Sequence, residues 1–301
     1  MMKRLVMLAS LLLLATVCCR ADRAGGGAAG AAGGRAAVNA GGSGAALLVT
    51  GFSTPESVRH DPAADVYLVS NINGKPDGHD DNGFISRVSP AGTVLELRWI
   101  DGAGGDFTLN APKGMALKGD TLFVADIDHI RLFDRVSGAH LADWPVAGAH
   151  FLNDAAVAAD GTLYVTDTGG RTLYRFAGST PEALASGRAF GSPNGVDTNA
   201  RGVVVVMWSG GVKRVDPATG EVTDLPAPEG ARLDGVVLMD DGSYIVSSWD
   251  KEAVLRVGAD GRVSEVLGSV PEAADIGYDA ARNRILVPTF SGEVHIVPLG
   301  G

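Results

Sequence analysis

Six polar residues recur along the chain at a nearly constant spacing, each at the start of a short apolar segment. Four successive intervals in the series measure 40, 41, 40 and 41 positions, and the first measures 57. Carboxylate and carboxamide oxygens, which dominate the series, are the donors that Ca²⁺ prefers and that Mg²⁺ or Mn²⁺ use with more water. The residue types alone leave two interpretations open, a divalent-metal site or a polar, water-filled channel. The six residues are Glu56, Lys113, Asn153, Asn194, Asp234 and Asp275.

The segments that carry these residues share a four-strand pattern. Each has a short apolar stretch, a turn with Asp, Asn or Gly, and a β-branched or aromatic run, as in NDAAVAADGTLYVTD from Asn153. A third apolar run, a turn and a weaker fourth run follow. Six units of about 40 residues with four strands each are typical of a β-propeller. We therefore predict an all-β, six-bladed β-propeller of four-stranded blades, since a β-sandwich or two barrels would not produce this period.

The last unit ends after its third strand, near Pro298. Residues 46–52, which precede the first unit, are predicted to supply its missing outer strand. This N-terminal strand would complete the last blade and remove the free edges of the ring. The innermost strands of a propeller line its central channel, so we expect the six polar residues to gather at one mouth.

The sequence resembles the gluconolactonase/regucalcin (senescence-marker-protein) family of six-bladed propellers, and more distantly the paraoxonases. The resemblance covers residues 55–298 and implies a divalent cation in the channel, usually calcium, with Mg²⁺ or Mn²⁺ possible. The ligands it implies are Glu56, Asn153, Asn194 and Asp234, in blades one, three, four and five. It also implies hydrolysis of a lactone or related ester, in which the metal polarises the carbonyl and Asp234 acts as the general base toward water.

Two features of the predicted pocket depart from that pattern or lie outside it. Sugar-lactonase members carry an Arg two residues before the blade-three Asn, where this chain has Phe151. A more apolar lactone or an ester therefore fits better than a polyhydroxylated aldonolactone. Lys113 is expected to neutralise carboxylate charge or to bind an anionic product. Asp275 is predicted to pair with Lys113, and a further metal ligand is the alternative.

Blade one contains an insertion over residues 71–83, between its second and third strands. Second strands end at the face where inner strands begin, so the insertion should overhang the site, as a substrate lid or as an ordinary solvated loop. The same topology places His79, His129 and His150 on this face. His150, three residues before Asn153, is the predicted auxiliary acid or base, with a hydrogen-bonded structural histidine as the alternative.

The N-terminal segment has the features of an export signal. Two basic residues precede an apolar run over residues 5–17, which is too short to span a bilayer comfortably. We predict a signal peptide over residues 1–21 and a periplasmic or secreted protein. A Gly/Ala-rich linker follows over residues 22–45, and the propeller domain occupies residues 46–301.

Both cysteines of the chain, Cys18 and Cys19, fall at the end of the predicted signal. The body therefore uses neither disulfides nor thiolate chemistry. Lipoprotein anchoring at this site is the alternative to release after export. Val17, which precedes Cys18, is not the small residue that such processing prefers.

The charge of the body excludes some partners. Beyond the first 46 residues the chain has 20 basic and 34 acidic side chains, a balance that repels nucleic acid and anionic membrane surfaces. We expect a small-molecule lactone or ester as partner, no nucleic acid, no integral membrane domain and a monomeric state. Two functions stay open: a metal-dependent hydrolase, or a non-catalytic propeller that binds a small ligand, glycan or protein at the channel mouth.

Overall fold

The computed structural model of the protein describes residues 45–300. The predicted signal peptide over residues 1–21 and almost all of the predicted linker lie outside the described residues and stay predictions. Within residues 45–300, the chain forms 24 strands in six separate four-stranded sheets, together with one short 3-10 turn, Gly102–Gly104. The prediction of an all-β, six-bladed propeller is confirmed.

The first three blades run outward from the channel in chain order, as antiparallel meanders. One strand precedes them, β1 (Leu47–Thr50). Blade one contains β2 (Pro55–Asp61), β3 (Val66–Asn71), β4 (Phe84–Val88) and β5 (Val94–Asp101). Blade two contains β6 (Pro112–Lys118), β7 (Thr121–Asp126), β8 (His129–Asp134) and β9 (His140–Pro145). Blade three contains β10 (Leu152–Val157), β11 (Leu163–Asp167), β12 (Thr172–Ala177) and β13 (Thr180–Ser186).

The last three blades complete the circle. Blade four contains β14 (Pro193–Asn199), β15 (Gly202–Met207), β16 (Val212–Val215) and β17 (Val222–Leu225). Blade five contains β18 (Leu233–Leu238), β19 (Tyr244–Ser248), β20 (Ala253–Val257) and β21 (Val263–Gly268). Blade six contains β22 (Gly277–Asp279), β23 (Arg284–Thr289) and β24 (Glu293–Pro298).

The fourth strand of blade six is β1, the strand that precedes blade one. β1 pairs antiparallel with β24, with Leu47 opposite Ile296 and Thr50 opposite Glu293. The sixth sheet therefore joins the two ends of the described chain, in the order β1-β24-β23-β22. Val49, which is 1% exposed, is the β1 residue that packs into the core between blades six and one.

The hydrophobic core lies between blades. Each of six buried clusters combines side chains from two consecutive blades, as between blades two and three, where Phe123, Leu152 and Phe176 meet. Second strands such as β15, with the sequence GVVVVM, are buried on both faces, whereas outer strands such as β21 are largely exposed. Apolar side chains fill the space between blades. The inner strands can therefore present polar side chains to the channel.

The inner strands form a closed circle, in which each contacts the inner strands of the two neighbouring blades. Their first residues therefore lie around one mouth of the channel. Among residues 45–300, no helix is long and apolar enough to cross a membrane.

Candidate functional site

Five of the six polar residues that the repeat singled out occupy the same position in five inner strands. Each is the second residue of its strand, is between 1% and 4% exposed, and lines a single cavity at the channel mouth. We call them the ring residues. They are Glu56 in β2, Lys113 in β6, Asn153 in β10, Asn194 in β14 and Asp234 in β18.

A bulge follows the ring position in each of these strands. In β2 the extra residue lies between Pro55 and Val58, and the other four strands show the same register shift. A hydroxyl of the second strand accepts the backbone N–H at the bulge: Ser70 Oγ accepts that of Ser57 at 2.9 Å, with equivalents in blades three and five. Because a bulge redirects the neighbouring side chains, it helps to aim Glu56 into the channel mouth.

Two glycines allow the inner strands of blades four, five and six to approach closely. A Cβ on Gly195 would lie 2.4 Å from the backbone oxygen of Asp234, and one on Gly235 would lie 2.3 Å from the backbone nitrogen of Ile276. Only glycine fits at such separations. In Asn194-Gly195 and Asp234-Gly235, a candidate ligand is therefore followed directly by the glycine that allows the close strand contact.

Asp275, the sixth residue predicted for the ring, lies one layer below it. Its backbone pairs with that of Ser57, the residue after the ring position in blade one. In the other blades, the residue before the ring position pairs with the last residue of the second strand, as Pro55 pairs with Asn71. In blade six, Ala273 pairs in the same way with Thr289, the last residue of β23. The ring position in blade six is therefore Ala274. A repeat of 40 or 41 residues does not fix the register to one residue, and an error of one residue moves a side chain to another layer.

The predicted ion pair between Lys113 and Asp275 is wrong. Asp275 Oδ2 accepts a hydrogen bond from Ser57 Oγ at 2.6 Å and lies 2.9 Å from Arg59 Nη2. Lys113 Nζ donates instead to the backbone oxygen of Ala111 at 3.0 Å. The cation that neutralises Asp275 is therefore Arg59, which lies two residues after Ser57 in β2.

Arg59 links four blades beneath the ring. From blade one it donates to the backbone oxygens of Met115 in blade two, at 2.9 Å, and Ile276 in blade six, at 2.7 Å. Its Nη2 lies 3.0 Å from Asp154 Oδ1 in blade three and 2.9 Å from Asp275 Oδ2 in blade six. Buried carboxylates are tolerated when they are paired and hydrogen-bonded. This network therefore fills the channel directly below the ring.

The four residues implied as metal ligands carry buried oxygens without a partner. Eight buried side-chain nitrogen or oxygen atoms within residues 45–300 make no hydrogen bond, and four of them belong to this set. Leaving such an atom unpaired costs about 1–3 kcal/mol, so four along one cavity require an explanation. A hard divalent cation is the ligand that this donor set fits. The four atoms are Glu56 Oε2, Asn153 Oδ1, Asn194 Oδ1 and Asp234 Oδ1.

The other polar atoms of two ring residues are held in place by hydrogen bonds. Asn153 Nδ2 donates to Thr168 Oγ1 at 3.0 Å, and Thr168 Oγ1 in turn donates to a backbone oxygen of blade four. Trp249 Nε1 donates to Asp234 Oδ2 at 2.8 Å. These contacts orient the Asn153 amide with Oδ1 free and leave Oδ1 as the available oxygen of Asp234.

Burial and like charge raise the pKa of both ring carboxyls. Burial is the larger cause for Asp234, whose pKa rises to about 8, and the charge of Asp275 adds to it while the Trp249 hydrogen bond opposes it. The pKa of Glu56 is raised well above its ordinary value by burial and then by the charges of Asp234 and Asp275. Burial lowers the pKa of Lys113 to about 8. A bound cation would therefore relieve an excess of buried negative charge.

The donor set contains only two carboxylates. No group of three or more His, Cys, Asp or Glu side chains with the geometry to hold a metal ion occurs in the part of the chain that the structure describes. The other two of the four implied ligands are carboxamides, Asn153 and Asn194. Oxygen-rich, mixed carboxylate and amide sites suit Ca²⁺ rather than Zn²⁺.

The cavity above the ring has a volume of about 630 Å³. The loop between β3 and β4 contributes Ile72, Pro76 and Asp77 to its wall. This loop is anchored on the chain that leads into blade two, because Asp81 Oδ1 accepts the backbone N–H of Leu109 at 2.8 Å. The C-terminal part of the insertion is therefore held in place by this contact.

Three aromatic residues line the same cavity and were not among the candidates from the sequence. Trp208, Trp249 and Phe290 each follow the last residue of a second strand, in blades four, five and six. Their spacing is 41 and 41 positions, the same period as the ring. The repeat therefore also carries a signal at a second position, the residue that follows the second strand.

Phe151 and His150 also line the cavity, where they enter blade three. Asp167, at the end of β11, accepts the backbone N–H groups of both residues, at 2.9 and 3.1 Å. Lys113 Nζ lies 4.4 Å from the centre of the Phe151 ring, a cation–π distance. His150 is exposed at the rim. These contacts place both residues at the mouth predicted from the topology.

The other two histidines that were predicted for this face do not line the cavity. His129 Nδ1 lies 2.6 Å from Asp128 Oδ1, and the pair sits at the turn between β7 and β8. His79 is an exposed residue of the loop between β3 and β4. Asp275, as described above, lies beneath the ring rather than in the pocket.

Comparisons with known proteins agree with the architecture. No protein-family model and no curated protein sequence matches the chain. A gluconolactonase from Xanthomonas campestris is similar in structure, with a TM-score of 0.64 and 18% identity, over 85% of this chain and 90% of that one. A streptogramin B lyase matches with a TM-score of 0.61 and 13% identity, over 84% and 97%. Virginiamycin B lyase from Staphylococcus aureus matches with a TM-score of 0.58 and 13% identity, over 85% and 99%.

These likenesses show the fold. The class that fold and site define is a six-bladed β-propeller with a buried set of oxygen donors at one channel mouth. A solved gluconolactonase is among the propellers that share this architecture, as the resemblance implied.

Proposed function

We propose that this protein is a divalent-metal-dependent hydrolase, with calcium as the expected metal, that opens a lactone or a related ester at the channel mouth. One observation carries the proposal. Glu56, Asn153, Asn194 and Asp234 each have a buried oxygen without a partner, and all four side chains line the same cavity. Water in a structural channel would also bond these oxygens, and what favours a cation is that two carboxylates and two carboxamides, an all-oxygen donor set, line one cavity.

The four residues would hold the cation through those oxygens. When bound, a divalent cation supplies Lewis-acid polarisation of a carbonyl oxygen. The network below the ring limits the space on the inner side, because Arg59 already fills the channel there. The substrate would therefore approach from the cavity above.

Asp234 is the proposed general base. Trp249 donates to Oδ2, so Oδ1 would serve both functions, with one lone pair toward the cation and the other to take a proton from the attacking water. The hydroxide portion of that water adds to the carbonyl carbon. The acyl C–O bond of the lactone or ester then breaks, and the leaving alkoxide oxygen takes up a proton. His150, exposed at the rim of the same cavity, is the candidate to supply that proton.

Lys113 has a separate proposed role. Its Nζ donates to a backbone oxygen and faces the Phe151 ring, at the edge of the cavity. A carboxylate is the common product of lactone and ester hydrolysis, and an ammonium group that lines the cavity attracts it. Product binding, rather than coordination, is the function this position supports.

The second candidate function is ligand binding without catalysis. The observation that favours it is the aromatic lining of the cavity, which suits recognition of a small molecule whether or not turnover follows. Export through residues 1–21, release or anchoring at Cys18 and Cys19, and a monomeric state stay predictions that accompany either function.

A lactone and ester panel tests the proposal. Turnover is measured with calcium, with a chelator, and for Asp234→Asn, with Asp224→Asn, an exposed carboxylate in blade four, as matched control. We expect calcium-dependent turnover that falls about 10²–10⁴-fold in Asp234→Asn and is unchanged in Asp224→Asn. Turnover that persists with chelator and in Asp234→Asn would overturn it. Stabilisation by calcium without turnover of any substrate would favour the binding function.

A further inference from the structure

Trp208, Trp249 and Phe290 form a continuous aromatic surface across blades four, five and six, which we call the aromatic wall. The ring centres of Trp208 and Trp249 are 5.3 Å apart, and those of Trp249 and Phe290 are 5.1 Å apart, both in edge-to-face arrangement. Such pairs hold aromatic side chains in defined orientations. The wall is therefore a packed surface rather than three independent side chains.

The wall is anchored at its centre and at one end. Trp249 donates its indole N–H to Asp234 Oδ2, so its polar atom is already used. The guanidinium carbon of Arg232 lies 5.0 Å from the centre of the Trp208 ring. All three side chains are nevertheless only half-buried, and their remaining surface belongs to the cavity. An anchored but partly exposed apolar surface beside a reactive site is suited to an apolar ligand group.

The opposite side of the cavity is different in character. Lys113, Asp77 and His150 bring charged or polar groups to blades one, two and three, beside the apolar side chains of Ile72, Pro76 and Phe151. The wall offers little hydrogen bonding, since the Phe290 side chain has no polar atom, the indole N–H of Trp249 is taken, and the indole N–H of Trp208 is the one remaining donor. Several hydroxyl groups placed against it would lose water without each gaining a partner. The two sides therefore select for a molecule with one apolar and one polar part.

We propose that the substrate of this site is a lactone or ester that carries a flat apolar group, aryl or extended alkyl, which packs on the aromatic wall. This inference rests on the proposed function for the reacting carbonyl, which would lie over the ring residues between the two sides. The polar carboxyl end of the product would face Lys113. A polyhydroxylated sugar lactone is the substrate that this arrangement disfavours.

The test compares matched substrates on matched variants. The substrates are γ-phenyl-γ-butyrolactone, unsubstituted γ-butyrolactone and gluconolactone. The variants are Trp208→Ala and Phe290→Ala, neither of which contacts a ring residue by hydrogen bond. Trp99→Ala is the control, because Trp99 is also half-buried but lies outside the cavity.

We expect kcat/KM of the protein to be about tenfold higher for the phenyl lactone than for the unsubstituted one, the upper range of an aromatic contact. Trp208→Ala and Phe290→Ala should lower that ratio by about 3–10-fold, mainly through KM, while Trp99→Ala leaves it unchanged. Equal rates on both lactones, a preference for gluconolactone, or the same ratio in all variants would overturn the proposal.

A binding measurement separates this inference from the proposed function. If no lactone is turned over, quenching of tryptophan fluorescence is titrated with 5-phenyl-2-pyrrolidinone, a lactam of the same shape that resists hydrolysis, and with 2-pyrrolidinone. Binding about tenfold tighter for the phenyl compound, lost in Phe290→Ala but not in Trp99→Ala, would support the wall as the apolar subsite while hydrolysis is rejected. Equal binding of the two lactams would reject the subsite itself.

Discussion

Single residues at the channel mouth combine burial with unmet bonding capacity. Glu56 and Asp234 lie 3% and 4% exposed, yet each keeps one oxygen without a hydrogen-bond partner. A buried polar group of this kind normally finds a protein or water partner. The raised pKa values of both carboxyls have the same origin, since burial disfavours their charged forms. An external cation would satisfy the oxygens and compensate the charge together.

The response of stability to pH follows from these residues. In the cation-free protein the pKa of Asp234 is raised to about 8, and that of Glu56 is raised as well. The folded state therefore binds more protons than the unfolded state between about pH 4 and pH 8. Stability contributed by these groups is present at low pH and lost as pH rises through 8. The cation competes with those protons, so it should stabilise the protein more at high pH.

We expect the calcium-induced rise in Tm to be larger at pH 8 than at pH 5.5, by about 2–4 °C for each kcal/mol of difference. Differential scanning fluorimetry with chelator and with calcium at both pH values measures it. Asp224→Asn should show the same difference as the unchanged protein, whereas Asp234→Asn should show a smaller one. A calcium effect that is equal at the two pH values would contradict the assignment of the cation to these carboxyls.

How far single residues can be predicted from the sequence depends on their register. Glu56, Asn153, Asn194 and Asp234 share one strand position, as their spacing indicated, because bulges recur at the same place in each blade. Asp275 was misplaced because a period of 40 or 41 leaves an uncertainty of one residue. No periodic signal pointed to Arg59, which has no counterpart in the other blades.

Polar side chains of the inner strands link neighbouring blades. The inner strand β2 brings Arg59 to acceptors in blades two, three and six, and Asp154 accepts the backbone N–H of Val196 in blade four at 2.7 Å. These contacts link inner strands beyond the apolar packing between blades. Removing one partner of a buried ion pair leaves an unpaired charge, which is far more destabilising than the loss of an exposed pair.

Arg59→Met is expected to lower the free energy of unfolding by about 3–5 kcal/mol, because it strands the carboxyls of Asp154 and Asp275. Adding Asp275→Asn should recover part of that loss, since one of the two stranded charges is removed. Urea unfolding followed by circular dichroism measures both. The matched control is Arg262→Met, whose side chain is 91% exposed and should change stability by no more than about 0.5 kcal/mol. Equal effects of Arg59→Met and Arg262→Met would refute the role of the network.

The aromatic wall is also an element-scale feature. Its three residues follow second strands, and the sequence repeats them at 41-residue intervals. Inner strands line the channel of a propeller, so their first residues were the predicted site positions. The loops after the second strands lie on the same face, so their first residues enclose the cavity above the ring. Which of these positions face inward could not be read from the spacing alone.

At the scale of the whole propeller, the sheet of blade six joins the two ends of the described chain. β1 precedes blade one in sequence and pairs with β24 of blade six, so the sixth sheet has four strands like the others. The six-bladed architecture was predictable because turns and apolar runs recur with a constant period, and that period reflects one structural unit. Loop paths and the relative depth of side chains depend on packing between blades, which no single unit determines.

Val49→Ala tests the contribution of β1 to the whole fold. Val49 is 1% exposed between blades six and one, so its truncation should reduce stability by about 1–3 kcal/mol. Leu48→Ala, at a neighbouring residue that is 42% exposed, should change it by less than about 0.5 kcal/mol. Thermal and urea unfolding provide the comparison. Similar values for the two variants would mean that β1 does not pack into the sixth sheet in solution.

Calcium binding to the chelator-treated protein, measured by isothermal titration calorimetry, tests the central claim most directly. We expect one ion per chain, with affinity reduced about 100-fold in Glu56→Gln and in Asp234→Asn and unchanged in the exposed control Asp224→Asn. Neither variant removes a core contact, and circular dichroism checks that both stay folded. The absence of calcium binding, or binding that is equally tight in Glu56→Gln, Asp234→Asn and Asp224→Asn, would contradict the claim that these oxygens form a metal site.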